Sequence, residues 1–406
     1  MKPRPDSLRI LQLCHKPPRP ARDGGCLAMD AITDGLLRLG HRVRVVSICT
    51  HKHPCSETTQ DHPYTEAVRF VGVPVDTRLN PVDAFSSMVT GESYNISRFH
   101  APEMERVLRK VLLEDVYDVV LVESLFMAPY LDSIRALSDA VVVLRAHNVE
   151  HRIWTDLAGQ TPSLSRRTYL RLLASQLERF EIAHLNAFDA ILAITAEDAE
   201  AFRGFGCTAP IHVAPFGLND EVFSAPTSSV AGAHCAFHLG AMDWEPNLRG
   251  VRWLMNEVWP HVLESVPDAE LLLAGRSFPE DFDLPAGSGI KVLGEIDDAQ
   301  ELFGRDAVMV IPLLSGSGMR IKAVEGAAAG RPIVSTTIGI EGLTPPPPFA
   351  VTDAPKVFAQ HIVEAMTDRV WARQLAEDAR VWAELHYGNW SIVSGFVDFC
   401  KKLLGH

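Results

Sequence analysis

The chain has 406 residues, 47% of them hydrophobic and 22% charged; the length points to two globular domains or three, and the composition excludes a disordered or low-complexity scaffold. Its net charge of -13 excludes a general nucleic-acid binder, which needs excess positive charge to displace counterions. The deficit falls on the C-terminal half, because residues 1–215 hold 24 basic and 26 acidic side chains and the rest hold 14 and 25.

Short runs rich in Val, Ile and Leu alternate with longer helical patterns. In chain order, strands are expected at residues 8–14 (LRILQLC), 41–48 (HRVRVVSI), 118–123 (DVVLVE), 141–147 (VVVLRAH) and 190–195 (AILAIT). A second series follows at 236–241, 270–275, 290–295, 307–312 and 331–336. Apolar runs without strict alternation suit parallel strands buried on both faces. Helices between them make βαβ units with right-handed crossovers. Leu27, Ile32, Leu36, Leu37 and Leu39 form the apolar face of the helix after the first strand, and Gly40 stops it. Residues 165–185 read as a long helix with Leu170, Leu173, Leu177 and Phe180 on one face and Arg166, Arg167, Arg171 and Arg179 on or near the others. Glu178 and Glu181 dilute that charge, so the pattern favours a core-packing helix over one lying on a membrane. Trp253 and Trp259 are expected in the core, and Trp244 at a strand end. The terminal segment 386–404 carries Trp390, Ile392, Val393, Phe396, Val397 and Phe399 in a helical pattern.

The two series imply two doubly wound domains, residues 1–215 and 216–385. Residues 215–231, rich in Pro, Ser and Gly and without periodicity, read as the linker. A second boundary is expected at the rigid PPPP of 345–348. Seven cysteines, at positions 14, 26, 49, 55, 207, 235 and 400, form no CxxC pair and are odd in number. The first residues place Pro and Asp where a signal peptide carries an apolar run, and no run approaches the ~18–20 residues that cross a bilayer. A reducing cytoplasm is the compartment these features suggest. Cys49, His51, His53 and Cys55 are metal-ligating types, but their two-residue spacing matches no structural zinc pattern. They read as a solvated loop, and no metal is expected.

Three segments carry chemistry. Asp23-Gly24-Gly25 lies between the first strand and its helix, where glycines admit a ligand to the backbone and the helix end offers free N–H groups. A bland turn accounts for it equally well. Arg145 to His151 (RAHNVEH) follows a strongly apolar strand, so His147, Asn148 and Glu150 stand where open α/β sheets bind ligands. The third is SGSGMRIKAVEGAAAG (315–330), which opens a helix after the strand at 307–312. Ser315, Gly316, Ser317, Gly318 and Met319 leave N–H groups exposed to oxyanions. Arg320 and Lys322 add mobile positive charge for a diphosphate, and Glu325, one turn on, can accept two hydroxyls of a ribose. The spacing is not that of a Walker A loop.

The stretch GSGMRIKAVEGAAAGRPIVSTTIGIEGL resembles the nucleotide-sugar segment of family-four GT-B glycosyltransferases. So do HLGAMDWEPNLRGVRWLMNEVWPHV (238–262) and APFGLNDEVF in the linker. The resemblance covers nearly the whole chain and implies an α/β GT-B fold, two Rossmann-like doubly wound domains facing across a cleft. Family members carry a Glu-x7-Glu motif whose second Glu binds the ribose, which maps to Glu325; the first falls on Ser317, a departure that shifts sugar contacts elsewhere. The usual Arg and Lys pair near the first strand of the C-terminal domain is not evident. Arg320 and Lys322 resemble this branch's diphosphate cations, His147 the histidine facing the donor sugar, and Gly24 and Gly25 the loop that meets the phosphate or acceptor. Gly240, Arg276 and Leu293, at or just after the ends of three predicted strands, complete the donor-binding candidates.

The implied function is retaining transfer of a hexose from a UDP-, GDP- or dTDP-sugar, a co-substrate with no other cofactor and no metal. The acceptor would be a glycan, a lipid-linked glycan or a small molecule. Residues 216–385 would hold the donor and residues 1–215 the acceptor, with the helix at 386–406 crossing back and domain closure forming the cleft. Negative charge building on the leaving diphosphate would be met by Arg320, Lys322 and the helix dipole. The family implies bacterial polysaccharide or glycoconjugate assembly, peripheral contact with the inner face of a membrane, and a monomer or homodimer. A sugar-nucleotide epimerase or hydrolase of the same fold, a paired-carboxylate glycosidase and a non-catalytic nucleotide-sugar binder are the alternatives.

Overall fold

The computed structural model describes residues 7–20, 24–55, 63–78, 80, 86–87, 90–224, 234–280, 282–285, 287–296, 299–316 and 320–405. The chain divides into two compact units, Met1–Gly217 with Ile392–His406, and Leu218–Ser391.

The first unit holds seven strands: β1 (Arg9–Cys14), β2 (Arg42–Cys49), β3 (Val71–Pro74), β4 (Val119–Glu123), β5 (Val141–Ala146), β6 (Ala190–Ala193) and β7 (Ile211–Val213). They pair in parallel in the order β3-β2-β1-β4-β5-β6-β7. The second holds β8 (Cys235–Leu239), β9 (Glu270–Ala274), β10 (Ile290–Gly294), β11 (Val308–Ile311), β12 (Ile333–Ser335) and β13 (Ala350–Val351). These too are parallel, ordered β10-β9-β8-β11-β12-β13. Both sheets have Rossmann-like winding: β1 lies between β2 and β4, and β8 between β9 and β11. The direction of winding reverses at these strands, and the carboxyl ends there border a crevice suited to ligands. All ten expected strands are present. β3, β7 and β13 are additional, with four, three and two residues, too few to show a period.

Side chains of successive strand residues go to opposite faces, and both faces of the first sheet are buried. Leu11, Leu13, Val120 and Val122 pack on one side with Met104 and Leu108 of the helix Pro102–Glu114. Ile10, Val43, Val45 and Leu121 pack on the other with Met29, Ile32 and Leu36 of the helix Gly24–Arg38. Gly40, at φ +87°, follows that helix as expected. The second face is completed by Val393, Phe396 and Cys400 of the helix Asn389–Leu403. In the long helix Leu164–His184, Leu170, Leu173 and Leu177 are buried. Trp253 and Trp259 are buried in the second unit.

Four expectations change. Residues 345–348 lie inside the second unit and mark no boundary, because Trp382 Nε1–H donates to the Pro345 carbonyl at 3.0 Å and fixes the segment to the helix Arg369–Tyr387. The stretch 215–231 is not featureless: Leu218 pairs with Gly388 and Glu221–Ser224 is helical, while 225–231 lie outside the described residues. Trp390 is 54% exposed rather than part of the apolar face. Cys49 and Cys55 are joined in a disulfide with their Cα atoms 5.5 Å apart, an ordinary spacing, so the loop between them is cross-linked. That bond departs from the all-thiol state a reducing compartment favours. No helix among the described residues is long and apolar enough to cross a membrane.

Candidate functional site

At the reversal in the first sheet, β4 ends on Glu123, whose parallel neighbours are Cys14 on β1 and Arg145 on β5. Glu123 and Arg145 are both fully buried, so each charge must be matched within the protein. Glu123 Oε1 accepts from Gln12 Nε2 at 2.8 Å, and Oε2 lies 2.7 Å from His147 Nε2 and 3.4 Å from the Arg145 guanidinium. Arg145 also donates to the Ala28 carbonyl at 2.9 Å, and Thr33 Oγ1 donates to Gln12 Oε1 at 2.6 Å. The network thereby ties the helix Gly24–Arg38 to the ends of β4 and β5. Burial would push the Glu123 carboxyl up, but Arg145 and the hydrogen bonds from His147 and Gln12 outweigh it and hold it at about 2. Burial pushes His147 below the usual imidazole range, with Glu123 pulling the other way. His15, whose ring centroid lies 5.6 Å from that of His147, is pushed down to about 3, first by burial and then by the neighbouring His147 and Lys16. A carboxylate only accepts, so the neutral His147 ring carries its proton on Nε2 and keeps Nδ1 as an acceptor.

A few residues on, the RAHNVEH segment turns into the helix Glu150–Gln160. Glu181 of the long helix caps its start: its carboxylate accepts from the Glu150 and His151 backbone N–H groups at 3.0 and 3.2 Å and from the His151 ring at 2.6 Å. His151 is thus engaged in a cap. Glu150 is buried, and burial together with Glu181 pushes its carboxyl up to about 8, against a hydrogen bond from Asn148. Gly24 and Gly25 open the helix Gly24–Arg38, half-buried, and Asn148 is exposed. Asp23 lies outside the described residues.

At the reversal in the second sheet, a cavity of about 420 Å³ opens beyond β8 and β11. It is lined by His238, Gly240, Trp244, Asn247, Gly275, Leu313, Arg320 and Lys322, among others. Lys322 stands in the first turn of the helix Ile321–Ala328, where N–H groups and dipole favour an anion. Its ammonium lies 2.8 Å from Glu325 one turn along. Arg320 is not the mobile cation expected. It is only 8% exposed, its guanidinium donates to the Gly316 and Ile338 carbonyls at 3.1 and 3.3 Å, and it lies 5.7 Å from the Trp244 ring centroid. Burial lowers its pKa below the usual guanidinium value. Gly316, at φ +113°, passes against the Trp244 ring, where a Cβ would lie 2.8 Å from it.

The fold thus brings Gly240, Arg320 and Lys322 to one cavity. Glu325, Ser315, Arg276 and Leu293 do not line it: Arg276 pairs with Asp243 at 3.6 Å and Leu293 is exposed on the edge strand β10. Ser317, Gly318 and Met319 lie outside the described residues. Sequence reasoning passed over Glu123, Gln12, His15, Glu181, His238 and Asn247. A signal existed for two of them, since Glu123 and His238 interrupt the apolar strands VVLVE and CAFHL. Among the described residues no group of three or more His, Cys, Asp or Glu is arranged to hold a metal ion.

Residues 28–217 match the family described as glycosyl transferase 4-like domain, and residues 234–368 match glycosyl transferases group 1. With two doubly wound sheets, each bearing its polar cluster at the winding reversal, these matches make the chain a glycosyltransferase of GT-B fold. Over nearly its full length it is similar to an uncharacterized 44.6 kDa protein in the cps region of Klebsiella pneumoniae, 23% identical over 391 residues, 93% of this chain and 96% of the relative. Among solved structures, it resembles sucrose-phosphate synthase from Thermosynechococcus elongatus (TM-score 0.63, 16% identity, 98% of this chain and 99% of that one). It also resembles Anabaena HepE in complex with UDP (TM-score 0.62, 14% identity, 97% and 100%). At such identities these two structures speak to the fold.

Proposed function

We propose that the protein moves a hexose from a nucleotide-diphosphate sugar to a glycan or lipid-linked acceptor, with retention of configuration, in bacterial polysaccharide or glycoconjugate assembly. The observation that carries this reading is the meeting of Lys322 and the first turn of the helix Ile321–Ala328 with Gly240 in one cavity of about 420 Å³. A fixed helix end and a mobile ammonium there can stabilise the charge that builds on a leaving diphosphate. In the transfer, the bond between the sugar's anomeric carbon and the diphosphate oxygen breaks and a bond to an acceptor hydroxyl oxygen forms. The hydroxyl proton passes to the departing phosphate. Glu325 is our choice for the ribose and His147, neutral and held by Glu123, for contact with substrate. Support for the donor class comes from Anabaena HepE, solved with UDP and with UDP-glucose. Support for the setting comes from the cps-region relative and from the structural neighbour WaaG, described as involved in lipopolysaccharide biosynthesis.

The test is a panel of UDP-, GDP- and dTDP-sugars, read by thermal shift and by release or transfer of the sugar. Turnover of at least one donor is expected; no shift and no turnover with any of them overturns the reading. Analysis of the product then separates transfer from hydrolysis or epimerisation. In Lys322→Ala, turnover should fall by about 100-fold or more while the melting temperature stays within a degree or two of native, because Lys322 is half exposed. Unchanged turnover in that variant removes Lys322 from the phosphate site.

A further inference from the structure

His238 is a polar residue in the middle of the apolar strand β8, only 3% exposed. Its Nδ1 lies 3.1 Å from the Val310 carbonyl of the neighbouring strand β11. A carbonyl accepts only, so the proton sits on Nδ1 and Nε2 is left as a bare acceptor. Nε2 has no hydrogen-bond partner among the described residues, a costly arrangement for a buried polar atom unless something else fills the role. Burial pushes the ring down to about 4, against the Val310 hydrogen bond, so it stays a neutral acceptor at physiological pH.

The direction in which Nε2 looks is set by Gly240. A Cβ on that residue would lie 2.8 Å from His238 Nε2 and 2.6 Å from Asn247 Nδ2, so both nitrogens border the volume that the glycine leaves open in the cavity wall. Asn247 uses one amide hydrogen on the Ala241 carbonyl at 2.9 Å and has a second to give. An acceptor and a donor that converge on one volume fit a single atom that both donates and accepts. A hydroxyl oxygen does this, that of a ligand replacing a water; a phosphate oxygen cannot donate, and a lactam edge spreads the two roles over two atoms.

We propose that the cavity wall over Gly240 is a hydroxyl-recognising subsite, in which His238 Nε2 accepts from, and Asn247 Nδ2 donates to, one hydroxyl of the bound nucleotide sugar. The proposal rests on the reading of the second unit as the donor site. The hydroxyl belongs either to the ribose or to the transferred sugar, and the two sources separate by experiment.

The test is calorimetric titration of the full chain with UDP-, GDP- and dTDP-glucose and with the matching nucleoside diphosphates. His238→Asn keeps a donor for the Val310 carbonyl and withdraws the acceptor from the Nε2 position; His238→Gln places an amide oxygen near that position. Affinity should fall about tenfold or more in His238→Asn and return to within about threefold of native in His238→Gln. Asn247→Ala, at a half-buried side chain that a fold tolerates well, should lose about tenfold independently. A loss seen with the diphosphate as well as the sugar nucleotide assigns the hydroxyl to the ribose, and a loss confined to the sugar nucleotide assigns it to the hexose. Native affinity in His238→Asn and Asn247→Ala overturns the subsite and leaves the donor reading standing. Failure of the native chain to bind any of the six ligands overturns both.

Discussion

Glu123 shows how much one side chain can organise. Its carboxylate meets Gln12, Arg145 and His147 in a fully buried setting, so its removal strands the Arg145 charge. Glu123→Ala should cost about 3–5 kcal/mol, measured by denaturant unfolding. The same carboxylate also gives a pH signature. Its folded value, about 2, lies below the ordinary 4.5, so its contribution is complete above pH 4.5 and is lost as acid takes the pH toward 2. Native protein should therefore lose stability steeply across that window, and Glu123→Ala should lose much less. None of this was legible in VVLVE beyond the oddity of a terminal Glu. His147 and the segment 315–330 stood out as candidates, because a polar burst after an apolar strand and a glycine-rich turn before a helix are local patterns. Glu123 meets His147 only across two strands, 24 positions apart in the chain.

Helix ends decide much of the rest. The long helix Leu164–His184 was readable from its leucine stripe, yet Glu181, taken as diluting charge, is buried and caps the start of Glu150–Gln160. Glu181→Ala removes the carboxylate that accepts from both backbone N–H groups and from the His151 ring, and should cost about 1–3 kcal/mol with faster amide exchange confined to the first turn of that helix. Glu150, beside it, titrates in the opposite sense to Glu123. Its carboxyl is raised from 4.5 to about 8, so folding is favoured below pH 4.5 and that advantage is lost as pH rises through 8. Glu150→Gln should thus gain stability over native progressively between these values, and a thermal melt series from pH 5 to 9 that runs parallel for both proteins would contradict it. Arg320, expected as a free cation, is instead drawn under Trp244 and onto two backbone carbonyls. A sequence shows its charge and its place before a helix, but not which carbonyls lie within reach.

At the scale of the chain, the first unit is assembled from two segments between which the whole of Leu218–Ser391 intervenes. Val393, Phe396 and Cys400 fill the same core as Ile10 and Leu121, so Phe396→Ala should cost about 3–5 kcal/mol. The loss should appear as weakened exchange protection in β1 and β2, with β8 and β9 of the second unit unchanged. The acidic C-terminal half now has a sharper meaning. Its 25 acidic against 14 basic residues give an unfavourable background for an anion, so any binding of one there must come from local groups such as Lys322 and a helix end. Ten of the thirteen strands among the described residues were readable from their Val, Ile and Leu runs, which a parallel sheet buries on both faces, and the glycine-rich and HNVE segments stood out locally as candidate sites. The meeting of Glu123 with Arg145 and His147 in a buried network, and the His238 acceptor that no described residue meets, had no such trace. Each depends on which distant strands and helices become neighbours, and that is settled by packing and register across the whole fold, which no window of neighbouring residues contains.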